Sequence, residues 1–214
     1  MNFLPSLPVF LAYTGASFLL FITPGPDMSL FLSRTVSSGR RAGIASAVGS
    51  NMGCVFHTLL VAFGVSALIA ASSTGFLLLK IFGAGYLLWL AVDAIRHGSS
   101  LNVKATGTSQ ATALKSFLLG VMVNLTNPKV LLFFISFLPN LVEAGDPNAS
   151  GKLLFFGLYF VALNIPLSII TVLVAERLVG WLKARPQVLR WIDYTFAGVF
   201  ALFALKIAFI EGRG

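Results

Sequence analysis

The chain of 214 residues is 57% hydrophobic and only 10% charged, whereas soluble domains average about 25% charged residues. A water-soluble fold cannot bury that much apolar surface, so the composition excludes an ordinary soluble enzyme. The net charge of +8 comes from short basic clusters between apolar stretches. Such clusters are typical of membrane orientation signals and not of nucleic-acid binding.

Apolar segments of the length that crosses a bilayer, roughly 20 residues, occur six times. In chain order they are Val9 to Leu32, Ala42 to Ala70, Gly75 to Ile95, Leu114 to Leu138, Leu153 to Ala175 and Val188 to Phe209. The sequence therefore predicts an all-α integral membrane protein with six transmembrane helices in a single transmembrane domain, 1–214. We expect residues 99–112 to form a cytoplasmic linker between two halves, about 1–98 and 113–214.

Lysine and arginine alternate between the loops. Arg34, Arg40 and Arg41 follow the first span, the next loop has none, and basic residues return after the third and fifth spans. Cytoplasmic loops carry the positive charge in membrane proteins. We therefore expect both termini to lie outside the cytoplasm, which is the periplasm if the membrane is a bacterial inner membrane.

Two segments inside the predicted spans are poor helix formers. Thr23-Pro24-Gly25-Pro26-Asp27 lies in the first span and Asn124-Leu125-Thr126-Asn127-Pro128-Lys129 in the fourth. Proline removes a backbone donor and glycine adds freedom. Broken backbone survives in hydrocarbon only where it is buried in protein or lines a cavity, as in transporter sites. The sequence predicts that both helices break and that a substrate site lies there.

The two segments correspond in a weak internal repeat. When Phe117 to Phe133 is set on Gly15 to Phe31, Pro128 falls on Pro26 and Lys129 on Asp27. We therefore predict two inverted three-helix repeats.

A half-helix that starts near Asp27 presents its positive end to an anionic group, and the carbonyls freed by the break suit an ammonium. This combination fits a zwitterion such as an amino acid and is also compatible with other small polar solutes. Alternatively, Pro24 and Pro26 only kink the span and Asp27 is a helix cap. Asp27 and Lys129 either pair with each other, or Asp27 carries protons.

Other polar residues in the spans have two interpretations each. Asn51, Asn124, Asn127 and Asn164 either line a central cavity or join helices by hydrogen bonds. His57 either relays protons or, as we expect, is a packed side chain bonded to a backbone carbonyl.

Charges and small residues complete the pattern. We expect interfacial salt bridges from Asp93 to Arg96 and from Asp193 to Arg190. Gly49 and Gly53 form a small-residue stripe that favours close helix packing. The single cysteine, Cys54, offers no two-cysteine metal motif, and we expect no metal and no cofactor.

Four runs carry a resemblance to a known family. They are Phe21-Ile22-Thr23-Pro24-Gly25-Pro26-Asp27, Gly39-Arg40-Arg41-Ala42-Gly43, Gly83-Ala84-Gly85-Tyr86-Leu87-Leu88-Trp89-Leu90 and Asn127-Pro128-Lys129. With these runs, the whole chain resembles the LysE/RhtB family of bacterial amino-acid exporters. The resemblance implies export of amino acids or their derivatives, driven by proton antiport with alternating access.

The predicted partners are an amino-acid substrate, protons and the lipid bilayer, with a homodimer possible and no nucleic acid. The predicted substrate site comprises Thr23, Pro24, Gly25, Pro26, Asp27, Asn51, Asn124, Asn127, Pro128, Lys129 and Asn164, with Asp27 as the candidate proton carrier and no catalytic residue. Two other hypotheses remain: a passive channel, and an intramembrane enzyme that uses Asp27 and Asp93 as a carboxylate pair.

Overall fold

The computed structural model describes residues 5–98, 112–143 and 146–211. These residues are almost entirely helical. The helices are α1 (Leu7–Ile22), α2 (Pro26–Ser38), α3 (Arg40–Ala71), α4 (Ser73–His97), α5 (Ala113–Leu125), α6 (Pro128–Phe137), α7 (Ala149–Leu173), α8 (Ala175–Lys183) and α9 (Pro186–Glu211), with a 3₁₀ turn at Leu138–Leu141. Apart from Thr112, the predicted linker lies outside the described residues.

Four helical segments in the described ranges are long and apolar enough to cross a bilayer. They are Arg40–Leu68, Ser73–His97, Ala149–Leu173 and Pro186–Leu205. Two helix pairs pass the same test only together, since α1 and α2 meet at a bend of 49° and α5 and α6 at a bend of 52°. The number of spans rises to six if each bent pair is one span, so the predicted all-α, multi-pass membrane protein is confirmed.

The outer surface of the helices is strongly apolar. Phe82 on α4 is 78% exposed, and Trp191 and Leu202 on α9 are 71% and 68% exposed. Contiguous apolar surface of this kind is rare on soluble monomers and marks contact with another phase or partner. Here the acyl chains of a bilayer provide that contact.

The interior contains an aromatic cluster that anchors α1 and α6 to the rest of the protein. The fully buried Tyr13 packs against the rings of Phe137 and Phe156, and its hydroxyl donates to the Phe156 carbonyl at 2.9 Å. On α6, Phe133 stacks on Phe137 with ring centroids 5.0 Å apart. The helix that follows the second break is thus held rigidly by its apolar face.

Helices α3 and α5 cross at unusually close range. A Cβ atom on Gly49 would overlap the backbone carbonyl of Phe117, and one on Gly120 would overlap the carbonyl of Ser46. Gly53 likewise leaves room for the side chain of Asn124. The stripe of small residues is therefore a packing surface, as predicted, and it brings α3 against the second helix break.

One helix was not predicted. Residues 175–183, assigned to a basic loop, form α8, which carries Glu176 in its first turn. Although proline often ends a helix, Pro166 lies inside α7, which continues to Leu173.

Candidate functional site

The first helix break lies at Thr23, Pro24 and Gly25. Helix α1 ends at Ile22, Thr23 adopts extended backbone, and α2 begins at Pro26 with Gly25 as its N-cap. The carbonyl of Leu20 has no helical partner, because its donor would be the N–H of residue 24, and Pro24 has no N–H. The break is the one the sequence predicted, whereas the alternative of Asp27 as a helix cap is wrong: Asp27 lies in the first turn behind Gly25.

The second break lies at Thr126 and Asn127. Helix α5 ends at Leu125 and α6 begins at Pro128, so that Pro26 and Pro128 both open the second half of a bent pair. Asn127 is the N-cap of α6, and its side chain accepts a hydrogen bond from the Lys129 backbone N–H at 3.1 Å. Asparagine is a favoured residue for this position.

Each break is completed by side chains from the other. The Lys129 ammonium donates to the carbonyl oxygens of Leu20 at 2.8 Å and Thr23 at 2.5 Å. In the opposite direction, one carboxylate oxygen of Asp27, Oδ2, accepts from the side-chain amides of Asn124 and Asn127, both at 2.9 Å. Bonds to charged groups are the stronger class of hydrogen bond. The two breaks therefore form one bonded unit.

Asp27 and Lys129 do not form a direct ion pair. Among the ion pairs of the described residues, none joins these two charges within 4.0 Å, although they lie close enough to attract each other. The alternative of a direct pair is thus wrong, and a different arrangement takes its place. Each charged side chain forms hydrogen bonds with polar groups of the opposite break instead of pairing with the other charge.

Asn124 is the centre of this unit and is only 1% exposed. Besides Asp27, its amide donates to the Ser50 hydroxyl at 3.3 Å, and its side-chain oxygen accepts from the Cys54 thiol at 3.6 Å. His57 Nε2 lies 3.3 Å from its backbone oxygen, which confirms the backbone-carbonyl partner predicted for the histidine. Helix α3 is thereby tied to the end of α5 through polar contacts as well as through glycine packing.

Two cavities meet at the breaks. The smaller, about 50 Å³, is lined by Asp27, Ser50, Asn51, Asn124, Asn164 and Ser168 among others. The larger, about 480 Å³, is lined by Pro24, Pro26, Pro128, Tyr86, Trp89, Asp93, Asp193 and Phe196 among others. Thr23, Gly25, Asn127 and Lys129 line both. The breaks therefore separate the two cavities.

The cavities differ in what they can hold. A volume of about 50 Å³ accommodates a few water molecules, since one water needs about 10–15 Å³ on this measure. The larger cavity falls within the range of about 300–1,000 Å³ that is usual for small-molecule sites. A solute the size of an amino acid thus fits the side that exposes the three prolines.

All eleven residues of the predicted substrate site line one cavity or the other, but Asn51 and Asn164 use their amides within the protein. Asn51 donates to the carbonyl of Ala47 at 2.9 Å and to the Ser168 hydroxyl at 3.3 Å. Asn164 donates to the carbonyl of Phe160 at 2.8 Å. Both interpretations offered for these asparagines therefore hold, since they line the smaller cavity and also make structural hydrogen bonds.

Sequence reasoning missed several residues of the larger cavity. Asp193, which was assigned to an interfacial salt bridge, is 1% exposed, lines the cavity and lies close enough to Lys129 for electrostatic attraction. Tyr86 and Trp89 also line this cavity and pack against each other, with ring centroids 5.2 Å apart. The sequence does carry one signal for this wall of the cavity: Trp89 and Asp93 are four residues apart and therefore lie on the same face of α4.

Of the two predicted interfacial salt bridges, the one from Asp93 to Arg96 is wrong. Asp93 pairs with His97, one turn along α4, at 2.8 Å and not with Arg96. Arg190 donates to the Ile95 carbonyl at 3.1 Å. Asp27 and Asp93 line different cavities, so the structure does not assemble them as the carboxylate pair that an intramembrane enzyme needs.

The fold and the site together define a class: a multi-pass helical membrane protein with two interlocked helix breaks beside a polar cavity. A sequence model of the family described as LysE type translocator matches residues 18–210. The chain belongs to this family of translocators, and the family resemblance is confirmed.

Named relatives cover almost the full chain. The homoserine/homoserine lactone efflux protein of Salmonella typhimurium is 26% identical over 197 residues, 92% of this chain and 94% of that protein. The leucine efflux protein of Klebsiella pneumoniae is 27% identical over 215 residues, 94% of this chain and 95% of that protein. An uncharacterized membrane protein of Vibrio cholerae is 33% identical over 137 residues, which are 63% of this chain and 65% of that protein. No solved structure matches the chain.

Proposed function

We propose that this protein is a secondary transporter that exports amino acids or their derivatives from the cytoplasm by proton antiport and alternating access. The observation that carries the proposal is the pair of interlocked helix breaks between two cavities, of which the larger fits an amino acid. Broken helices at membrane depth are how secondary transporters build sites for polar solutes. The names of the efflux relatives support the same substrate class.

The relatives' names also suggest which part of the substrate is recognised. Homoserine, homoserine lactone and leucine all carry an α-amino group, whereas the lactone has no free carboxylate. If this chain shares the substrates of the proteins it resembles, the amino group is the common feature that its site must bind. The carbonyl oxygens of the first break suit an ammonium, because such oxygens accept its N–H bonds.

We propose six spans arranged as two inverted repeats, with both termini in the periplasm of a bacterial inner membrane. The matched bends of 49° and 52° and the prolines that open α2 and α6 support the repeat. Arg40 and Arg41 at the start of α3 support a cytoplasmic first loop.

Asp27 is the proposed proton carrier. Its carboxylate lies beside the smaller cavity and has one oxygen, Oδ1, for which the described residues provide no hydrogen-bond partner. A proton bound there would remove the charge that Asn124 and Asn127 stabilise. Proton binding would thus weaken the link between the two breaks, which is what coupling to a conformational change requires.

The test is efflux from proteoliposomes loaded with homoserine, homoserine lactone, threonine, leucine or lysine, measured with and without a proton gradient. We expect at least one amino acid to be expelled faster when the gradient is imposed, with saturation at high substrate concentration. Vesicles that contain Asp27→Asn protein are the matched control. Equal, non-saturating fluxes with and without the gradient would contradict a coupled carrier and favour a channel.

A further inference from the structure

The Lys129 ammonium occupies the carbonyl oxygens that were proposed above for the substrate's amino group. We propose that Lys129 is a built-in competitor for this amine-binding subsite: its ammonium holds the carbonyls of Leu20 and Thr23 and must leave them before a substrate ammonium binds there. The inference rests on the proposed function for the identity of the substrate. The subsite itself rests on the geometry of the first break.

The end of α1 requires a donor at this place. Pro24 has no N–H to offer to the Leu20 carbonyl, and the chain turns away at Thr23 before its own carbonyl finds a helical partner. Carbonyls at a helix C-terminus also carry the negative end of the helix dipole. Buried carbonyls without partners are costly, so a cation with several N–H bonds is the natural ligand.

The Lys129 side chain satisfies these requirements. Its ammonium donates to both carbonyls, at 2.8 and 2.5 Å, and stands 5.6 Å from the centre of the Phe196 ring. An aromatic face at this distance attracts an ammonium of any origin. The subsite therefore recognises a primary ammonium by two hydrogen bonds and a ring contact.

A substrate in the larger cavity lies next to this subsite. Thr23 and Phe196 line the larger cavity, Leu20 lines the smaller one, and Thr23 and Lys129 lie on the wall between the two cavities. The buried Asp193 also lines the larger cavity. When a substrate ammonium takes over the Leu20 and Thr23 carbonyls, the Lys129 ammonium can swing toward Asp193, which already attracts it.

The exchange has a consequence for selectivity. A quaternary ammonium has no N–H to donate, and an N-acylated amino acid has no positive charge, so neither replaces Lys129. Primary amines do replace it. Because only the form with Lys129 withdrawn binds substrate, the apparent affinity is lowered by the fraction of that form.

Chemical rescue tests the subsite without reference to transport. Lys129→Ala removes the side chain beyond Cβ, and propylammonium supplies the missing atoms. We expect the purified variant in detergent to unfold at a lower temperature than the parent protein and to regain several degrees with propylammonium chloride. Propyltrimethylammonium chloride at equal ionic strength should restore nothing, because it has no N–H. Equal effects of the two salts, or no effect of either, would overturn the proposal.

Lys80→Ala is the matched control. Lys80 also places its ammonium over an aromatic ring, that of Phe76 at 4.7 Å, but it lies in α4 and far along the chain from either break. We expect propylammonium to leave its unfolding temperature unchanged. If Lys129→Ala fails to fold, the same comparison is made by preparing the variant in each salt, and we expect folded protein with propylammonium but not with propyltrimethylammonium.

A second measurement links the subsite to the substrate. In the Lys129→Met protein, the substrate identified by the efflux panel should bind about tenfold more tightly than in the parent protein, as expected if the withdrawn form is about one tenth of the population. An unchanged or weaker affinity would refute competition. If no amino acid is transported but propylammonium rescues Lys129→Ala, the proposed function fails while the subsite stands. If transport occurs without rescue, the reverse holds.

Discussion

The Asp27→Asn substitution removes the charge of Asp27 and keeps the shape of its side chain. The Asp27 Oδ2 atom accepts two amide hydrogen bonds, from Asn124 and Asn127, each at 2.9 Å. An asparagine keeps one oxygen in that position and places its NH₂ group at Oδ1, which has no hydrogen-bond partner among the described residues. The variant thus keeps both acceptor contacts but can no longer lose or gain a proton.

The magnitudes follow from those contacts. A buried amide left without its acceptor costs about 2 kcal/mol, so Asp27→Ala, which strands both amides, should lower the free energy of unfolding by about 4 kcal/mol. Asp27→Asn loses the part of each bond that the charge contributes and places an NH₂ without a partner at Oδ1, and these losses are offset by removal of a buried charge. We expect its free energy of unfolding to lie within about 1 kcal/mol of the parent value.

The assay is thermal unfolding in detergent combined with transport in proteoliposomes. We expect Asp27→Asn to unfold close to the parent temperature, to lose efflux driven by a proton gradient and to retain exchange of labelled for unlabelled substrate. Parent-like gradient-driven efflux by this variant would refute the assignment of Asp27 as proton carrier. A large loss of stability in Asp27→Asn would refute the argument from the two amide contacts.

Further predictions concern packing, the larger cavity and the loop before α7. Gly49→Ala should lower the free energy of unfolding by about 1–3 kcal/mol, because its Cβ would overlap the Phe117 carbonyl. The control is Gly64→Ala on the same helix, whose Cβ meets nothing within 4 Å. This variant should leave the free energy of unfolding unchanged or raise it. Asp193→Asn should reduce transport about tenfold, the effect of losing about 1.4 kcal/mol of attraction, and its control Asp146→Asn should transport normally. The Lys152 ammonium, 2.6 Å from the Asp146 carboxylate, lowers the pKa of Asp146. The stability that this pair contributes is therefore fully present above the ordinary carboxyl pKa, about 3.9. It should vanish as the pH falls through the lowered pKa of Asp146 in the folded protein. A pH titration of thermal unfolding that showed the same acid loss in Asp146→Asn would contradict this last prediction.

The sequence predicts the architecture well because its signals are local. Runs of about 20 apolar residues give the spans, and Pro24, Gly25 and Pro128 give the breaks, since proline and glycine act on their own backbone. The glycine stripe on α3 was also readable as a packing surface. None of these features requires knowledge of which helices are neighbours.

The partners across the site were not predictable in the same way. The opposite charges of Asp27 and Lys129 made a mutual pair one of the alternatives, but each side chain instead bonds to the opposite break. Buried carbonyls and amides without hydrogen bonds are costly in a low-dielectric interior, as is an unpaired charge. Asp193 was assigned to the membrane interface since Arg190 precedes it by one turn. Its burial depends on how α9 packs against α4, which a single sequence does not reveal.

The exchange of partners between the breaks has a mechanical consequence. Lys129 at the start of α6 is bonded to the end of α1, and Asp27 at the start of α2 is bonded to the end of α5 and to the N-cap of α6. A rigid-body movement of α1 relative to α6 must therefore break the ammonium–carbonyl bonds, while a movement of α2 relative to α5 must break the carboxylate–amide bonds. A substrate ammonium replaces the first set of bonds, and a proton on Asp27 weakens the second. In the transport cycle proposed here, each ligand thus acts on a different one of the two links that hold the breaks together, and the two ligands are coupled because both links join the same four half-helices.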